Sequence, residues 1–284
     1  MKKFKSLFIL LFILGILTLS SKQVHAATKY ETEPNDTIDQ AESITRNTQT
    51  AAQVAAGNTN GSSVVSGSLN RDEDVDWYKV TLYSNQDNFW DYAITNTTSG
   101  NVRLEVYDST GSLVGNNSFD YSPLTTERTF RVTVPTTSTY YLKISRTDTG
   151  STLFYGFTIG GPLYFLSSFE VNFPRITLNA NTSWTQQIVL NNNTAIPRGA
   201  IAYEAVLDGG TMSSTSSREI RCESNNAWQR TSMTPWRRSL PVTNTYSLRQ
   251  TWEVRYNAWN STTSFSPRII FYYVYPRMPM DEQF

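Results

Sequence analysis

Strict apolar–polar alternation recurs through this chain, and a period of two is the signature of β-strands. Residues 76–83 (Asp-Trp-Tyr-Lys-Val-Thr-Leu-Tyr), 101–107, 128–134, 139–146 and 153–159 follow it. Turn chemistry separates these stretches, as at Ser109-Thr110-Gly111-Ser112 and Asp148-Thr149-Gly150, where glycine opens conformations closed to other residues. The pattern resumes at 163–173, 184–190, 200–207, 246–258 and 268–275. Within 251–258, Trp252, Val254, Tyr256 and Ala258 share one face, and Glu253, Arg255 and Asn257 the other. Residues 269–275 form a continuous apolar run, expected of a strand buried on both faces. Gly160-Gly161-Pro162 divides the two sets. The expectation is an all-β chain of two β-sandwich-like domains, 27–160 and 161–284, with no sequence repeat linking them. One short helix is expected near 37–44, where Thr37 and Gln40 have capping-box spacing. The aperiodic stretch 45–63 reads as a loop.

Residues 1–26 read as a secretory signal, with Lys2, Lys3 and Lys5 before an apolar run and Val24-His25-Ala26 as the cleavage site. The run is too short for a membrane span and no second one follows, so the expectation is a secreted, extracellular protein without a transmembrane segment. The one histidine of the chain is His25. Its loss with the signal removes Ser-His-Asp catalysis and His-ligated zinc. The single cysteine, Cys222, admits no intrachain disulfide and reads as a packing position. Residues 27–160 carry 9 basic and 16 acidic side chains, a net −7, and residues 161–284 carry 11 and 8, a net +3. All eleven cations of the second half are Arg, and +3 is too weak to argue for nucleic acid.

Two acidic clusters stand out in the first half: Glu31-Thr32-Glu33-Pro34-Asn35-Asp36 and Asp72-Glu73-Asp74-Val75-Asp76-Trp77. Carboxylates gathered by a fold repel one another and need a counter-charge, and outside the cell the obvious one is calcium, which takes six to eight oxygen ligands. In the absence of a metal, Asp36 and Thr37 would cap the short helix and 72–76 would be a solvated turn.

These clusters, together with Gly67-Ser68-Leu69, Asp76-Trp77-Tyr78 and the later strands through Tyr140-Tyr141-Leu142 and Phe157…Ile159, resemble the bacterial pre-peptidase C-terminal domain. That β-sandwich module accompanies many secreted peptidases and collagenases. The resemblance covers about 28–160 and implies a jelly-roll-like sandwich with a calcium site. Carried over by position, it implies Glu31, Glu33, Asn35 and Asp36 as ligands from the first cluster and Glu73 and Asp76 from the second, with Asp74 and Ser68 as additions. Ser138 departs from the glycine that the family often has before the Tyr-Tyr strand.

The second half resembles no family. It holds five of the seven tryptophans. Arg stacks on aromatic faces, and such surfaces suit glycans, peptides and anionic polymers. Trp228, Trp236, Arg237 and Arg238 lie in a Ser/Asn/Pro-rich stretch that reads as binding loops, and Trp259 is a further ligand-binding candidate; the alternative is that these aromatics are core. For Trp252 the shared face with Val254 and Tyr256 argues core. The function expected is a non-catalytic, calcium-stabilised binding, adhesion or targeting protein. Its partner would be an extracellular polysaccharide or a matrix protein or peptide. The alternatives are a small hydrolase using carboxylates of the second half, such as Glu170, Glu204, Asp208, Glu219, Glu223 and Glu253, or a secreted toxin-like protein.

Overall fold

The computed structural model describes residues 27–70, 74–95, 100–122, 127–209, 215–232, 236–279 and 282. The expected signal, 1–26, lies outside them. The first half folds into β1 (Ala27–Tyr30), β2 (Glu42–Ser43), α1 (Ala51–Ala55), β3 (Ser63–Leu69), β4 (Val75–Leu82) and β5 (Phe89–Ile94). It continues with β6 (Val102–Tyr107), β7 (Leu113–Tyr121), β8 (Arg128–Arg131), β9 (Ser138–Arg146) and β10 (Leu153–Gly160). Two five-stranded sheets result, ordered β1-β3-β10-β5-β8 and β2-β4-β9-β6-β7. Their inward residues, among them Tyr78, Trp90, Leu104, Leu142 and Phe157, form one buried core.

The second half supplies β11 (Tyr164–Asn172), β12 (Ile176–Leu178), β13 (Ser183–Val189), β14 (Ile201–Asp208) and β15 (Thr215–Cys222). It ends with β16 (Asn225–Arg230), β17 (Arg237–Ser239), β18 (Thr251–Ala258), β19 (Thr263–Phe265) and β20 (Arg268–Pro276). Its two larger sheets are β11-β20-β14-β17 and β13-β18-β15-β16, with a short β12-β19 ladder beside them. A separate core gathers Ile220, Trp252, Val254, Tyr256, Phe271 and neighbours.

The chain is thus all-β and sandwich-type, and both halves are wired alike. Taken in chain order, the set 3-10-5-8 over 4-9-6-7 maps onto 11-20-14-17 over 13-18-15-16. In each half the chain crosses between sheets at most steps, the wrapping of a double-sheet jelly roll. No sequence repeat announces this, because such wiring depends on where strands and turns fall and not on which residues fill them. Side-chain contacts tie the halves together. The Arg131 guanidinium grips Glu282 through two hydrogen bonds of 3.1 and 2.6 Å, Arg277 pairs with Glu127, and the Asn47 amide donates to Gly161 O at 2.8 Å.

Three local expectations are corrected. The stretch 45–63 contains α1, whose capping box is complete: Gln53 N–H donates to Thr50 Oγ1 at 3.3 Å and Thr50 N–H to Gln53 Oε1 at 2.7 Å. The helix expected near 37–44 is a single 3₁₀ turn, Ile38–Gln40, in which Thr37 makes no side-chain cap. The apolar run at 269–275 is buried mainly on alternate residues, with Ile270 and Tyr272 half-buried. Ser138 opens β9, and its backbone is not among those of positive φ, so no glycine is required there.

Candidate metal centre

The 31–37 segment leaves β1 along the edge of the first sheet and crosses to the second. Pairing of β1 with β3 continues through Glu31 N–H to Ser66 O at 2.9 Å. Trp77 N–H then donates to Asn35 O at 3.0 Å, fastening the segment to β4. Alternation along β4 buries Asp76, Tyr78, Val80 and Leu82 together. Asp76 therefore points inward at the mouth of the sandwich, an unusual place for a carboxylate without a partner.

The structure brings Glu33, Asp74 and Asp76 together, one oxygen of each lying within 4.8 Å of the others. Asp74 and Asp76 are buried and Glu33 is exposed. The buried Asn35 amide lies 3.1 Å from Asp76 Oδ1 and 3.1 Å from Glu33 Oε2. With nitrogen turned inward it donates to both oxygens. With its oxygen turned inward it completes an all-oxygen set at the spacing of neighbouring ligands on one hard cation.

Behind this set lies a hydroxyl network. Tyr155 OH donates to Asp76 Oδ2 and stands 2.7 Å from Tyr78 OH. Both hydroxyls reach Glu31 Oε2 at 3.2 Å. Glu31 Oε1 accepts from Ser68 N–H at 2.6 Å and Ser68 Oγ at 2.9 Å. With both oxygens so engaged, Glu31 and Ser68 support the cluster from behind and do not belong to the grouped oxygens. Gly67 makes this approach possible, since a Cβ there would meet Glu31 Oε2 at 2.3 Å and Tyr155 OH at 2.4 Å. Asp36 is half-buried and outside the group, and Glu73 lies outside the described residues. The sequence reading missed Tyr155 and the spatial role of Gly67. The usable signal was an Asp and two Tyr at core-facing positions of their strands.

Electrostatics are one-sided. Burial is the largest cause raising Asp76, helped by the negative charges of Glu31, Asp74 and Glu33 and opposed by the Tyr155 hydrogen bond, and the carboxyl is pushed up to about 9. Burial also raises Glu31, against hydrogen bonds from Ser68, Tyr155 and Tyr78. Among the described residues, no ion pair supplies a cation to Glu31, Glu33, Asp74 or Asp76.

The aromatic and Arg candidates of the second half are not gathered into one surface. Trp236 precedes β17 and is only 6% exposed, with Arg218 stacked 4.5 Å from its ring centroid; the expectation of a ligand-facing residue is corrected. Trp228 lies on β16, and Arg237 and Arg238 on β17 of the other sheet, so these three are strand residues and not loop residues. Arg237 pairs with Glu204, and Arg238 Nε donates to Gln229 Oε1 at 3.0 Å. Trp259 follows β18 and is 46% exposed.

No family model matches the chain, and no curated protein matches it. Among solved structures, a protein of Eubacterium rectale described as secreted aligns with a TM-score of 0.52 at 12% identity, covering 89% of this chain and 86% of that one. The likeness is one of fold. The pre-peptidase C-terminal domain of a Bacillus anthracis collagenase aligns with a TM-score of 0.27 at 15% identity, over 45% of this chain and 99% of that domain.

Proposed function

We propose that this chain is a secreted, non-catalytic binding module whose first sandwich is clasped by calcium between the 31–37 segment and β4. The observation that carries the reading is the convergence of Glu33, Asp74 and Asp76 oxygens within 4.8 Å, with the Asn35 amide beside them and, among the described residues, no ion pair to any of them. The donors fit a hard, oxygen-seeking ion: carboxylates and an amide, two of the carboxylates buried, on a backbone held by Trp77 N–H. Calcium would neutralise the cluster and bind the folded state selectively. Calorimetry on the full chain, with a thermal melt in calcium or EDTA, tests this. A dissociation constant of about 10⁻⁶ to 10⁻³ M is expected. Absence of both heat and melting shift at millimolar calcium refutes it.

The partner in this reading is an extracellular polymer, a polysaccharide or a matrix protein, and secretion rests on the signal read at residues 1–26. The hydrolase alternative is disfavoured by the state of five of the six acids named for it, all but Glu223. Glu204, Glu219, Glu253, and both Glu170 and Asp208 are ion-paired, to Arg237, Arg255, Arg221 and Arg268 respectively. A carboxylate held by a guanidinium is not free to reach a glycosidic oxygen, and glycoside hydrolysis needs a pair of carboxyls flanking the scissile bond.

A further inference from the structure

We infer that the outer face of the β13-β18-β15-β16 sheet carries a carbohydrate-binding cleft with Trp228 as its stacking platform. The inference rests on the binding-module reading and names its ligand class and site.

The face is defined by the register. Thr251, Glu253 and Arg255 of β18 lie opposite Val189, Gln187 and Thr185 on one side, and Arg221 and Glu219 of β15 oppose Glu253 and Arg255 on the other. Two ion pairs cross this face, Arg221 to Glu253 and Arg255 to Glu219. Trp228, from the edge strand β16, has the Arg221 guanidinium 4.5 Å and the Arg255 guanidinium 4.2 Å from its ring centroid. Arg255 belongs to β18, and β15 lies between β18 and β16. The indole is therefore laid across the sheet, fixed by two cations that are themselves anchored by carboxylates. A ring so fixed loses little freedom when a ligand stacks on it.

Beside it is a cleft of about 250 Å³ lined by Gln187, Arg221, Glu223, Asn226, Thr251 and Glu253, with Cys222 at its base. Asn226 and Trp228 are two apart on one strand and so share its outward side. Among the described residues, the side-chain amides of Gln187 and Asn226 have no protein partner. They offer donors and acceptors of the planar kind that match adjacent hydroxyls. Among the lining residues only Cys222 is apolar, and a polyanion meets the two carboxylates of Glu223 and Glu253 against the single Arg221 cation. An uncharged ligand with many hydroxyls and a C–H face satisfies both the polar cleft and the indole, which is the chemistry of a neutral sugar. The volume falls below the roughly 300–1,000 Å³ of small-molecule pockets, so it takes one ring of a chain whose remainder runs over the open face.

Affinity electrophoresis of the full chain tests this, in native gels cast with starch, hydroxyethylcellulose, galactomannan or arabinoxylan, and with alginate as the polyanion. At least one neutral polysaccharide is expected to retard the protein and alginate not to. Trp228→Ala and Asn226→Ala are each expected to weaken retardation at least tenfold. Asn226→Ala removes only an unpartnered amide, so it decides the matter if Trp228→Ala unfolds. Migration unaffected by all four neutral gels, or both variants retarded like the parent, overturns the inference. A protein retained by immobilised collagen but by no polysaccharide would leave the binding-module reading standing and sink this one. Retardation that persists in Asp76→Asn with EDTA separates the cleft from the calcium site.

Discussion

Asp76→Asn tests the metal centre through the stability of the metal-free protein. The folded state keeps the Asp76 proton up to about pH 9, whereas an ordinary aspartate loses it near 3.8. Unfolding therefore releases a proton anywhere between these values, and stability falls as pH rises through that window. Each pH unit removes about 1.4 kcal/mol. At pH 7 the accumulated loss is at most about 4 kcal/mol. Relaxation of a tightly interacting cluster would reduce this, so about 2–4 kcal/mol is the expected scale. Asparagine is nearly isosteric, accepts the Tyr155 hydrogen bond and carries no titrating proton. In EDTA at pH 7 the variant should be more stable than the parent by that amount, the gap closing towards pH 4. Calcium should shrink the gap, and reverse the ranking where the gap is under about 2.7 kcal/mol. At a hundredfold excess over its dissociation constant it adds about 2.7 kcal/mol to the parent, and little to the variant. Urea unfolding across pH 4–8.5, with and without calcium, reads all of this. A variant less stable than the parent in EDTA at pH 7, or equally stabilised by calcium, refutes the reasoning.

Tyr155→Phe removes the hydroxyl behind Asp76 and Glu31, and calorimetry should show calcium affinity down by about 10–100-fold, as for other outer-shell partners. Gly67→Ala drives a methyl into the Glu31 carboxylate and Tyr155 OH; a loss of about 1–3 kcal/mol in urea unfolding is expected, together with weaker calcium binding. Trp252→Ala and Trp236→Ala should both destabilise, the first by about 3–5 kcal/mol because the ring is fully buried against Phe271. Thermal melts check the pair, and an unshifted Trp236→Ala would show that its ring is dispensable to the core. Casein, gelatin and chromogenic glycosides should be left intact; turnover abolished by Glu223→Gln would assign catalysis to the second half.

The strands legible in the sequence are those with one buried face. β4, β9 and β18 alternate cleanly because their other face meets water or half-buried side chains. β5 was missed for the opposite reason. Phe89, Trp90, Asp91 and Tyr92 are all buried, so no alternation survives. Trp90 and Tyr92 enter the first core, while Phe89 lies under Arg131. Asp91 stands between Thr158 and Thr129 in a cross-strand row, beside Arg277 of the second half. Burial is the largest cause raising its carboxyl, to about 6, with hydrogen bonds from Thr129 and Thr158 and the Arg277 charge opposing. The junction that buries this face is made by residues far apart in sequence, which no local pattern can announce. The repeated wiring of the two halves escaped for a related reason, since topology is carried by pairing and pairing is non-local.

The site was legible as a broken rule, and Arg218 shows why the rule alone is insufficient. Extending the β4 alternation places Asp76 among core residues, and extending the Ile220–Cys222 alternation backwards places Arg218 there as well. Both are fully buried ionisable side chains. Their surroundings then part them. Arg218 NH1 donates to Leu207 O and Nε donates to Thr215 Oγ1 at 3.1 Å. Its guanidinium also sits 4.5 Å from the Trp236 ring and 5.1 Å from that of Tyr256. Those partners give the cation hydrogen bonds and two negative ring faces, so the core itself accommodates it and nothing from outside is required. Asp76 receives a hydroxyl from Tyr155 and an amide from Asn35, against three carboxylates of its own sign. A buried charge surrounded by like charges can be neutralised only by a proton or by a cation, and the oxygens of Glu33, Asp74 and Asp76 lie within 4.8 Å of one another, close enough to share one. Parity finds the misplaced charge; the sign of what surrounds it decides whether the position belongs to the core or to a ligand.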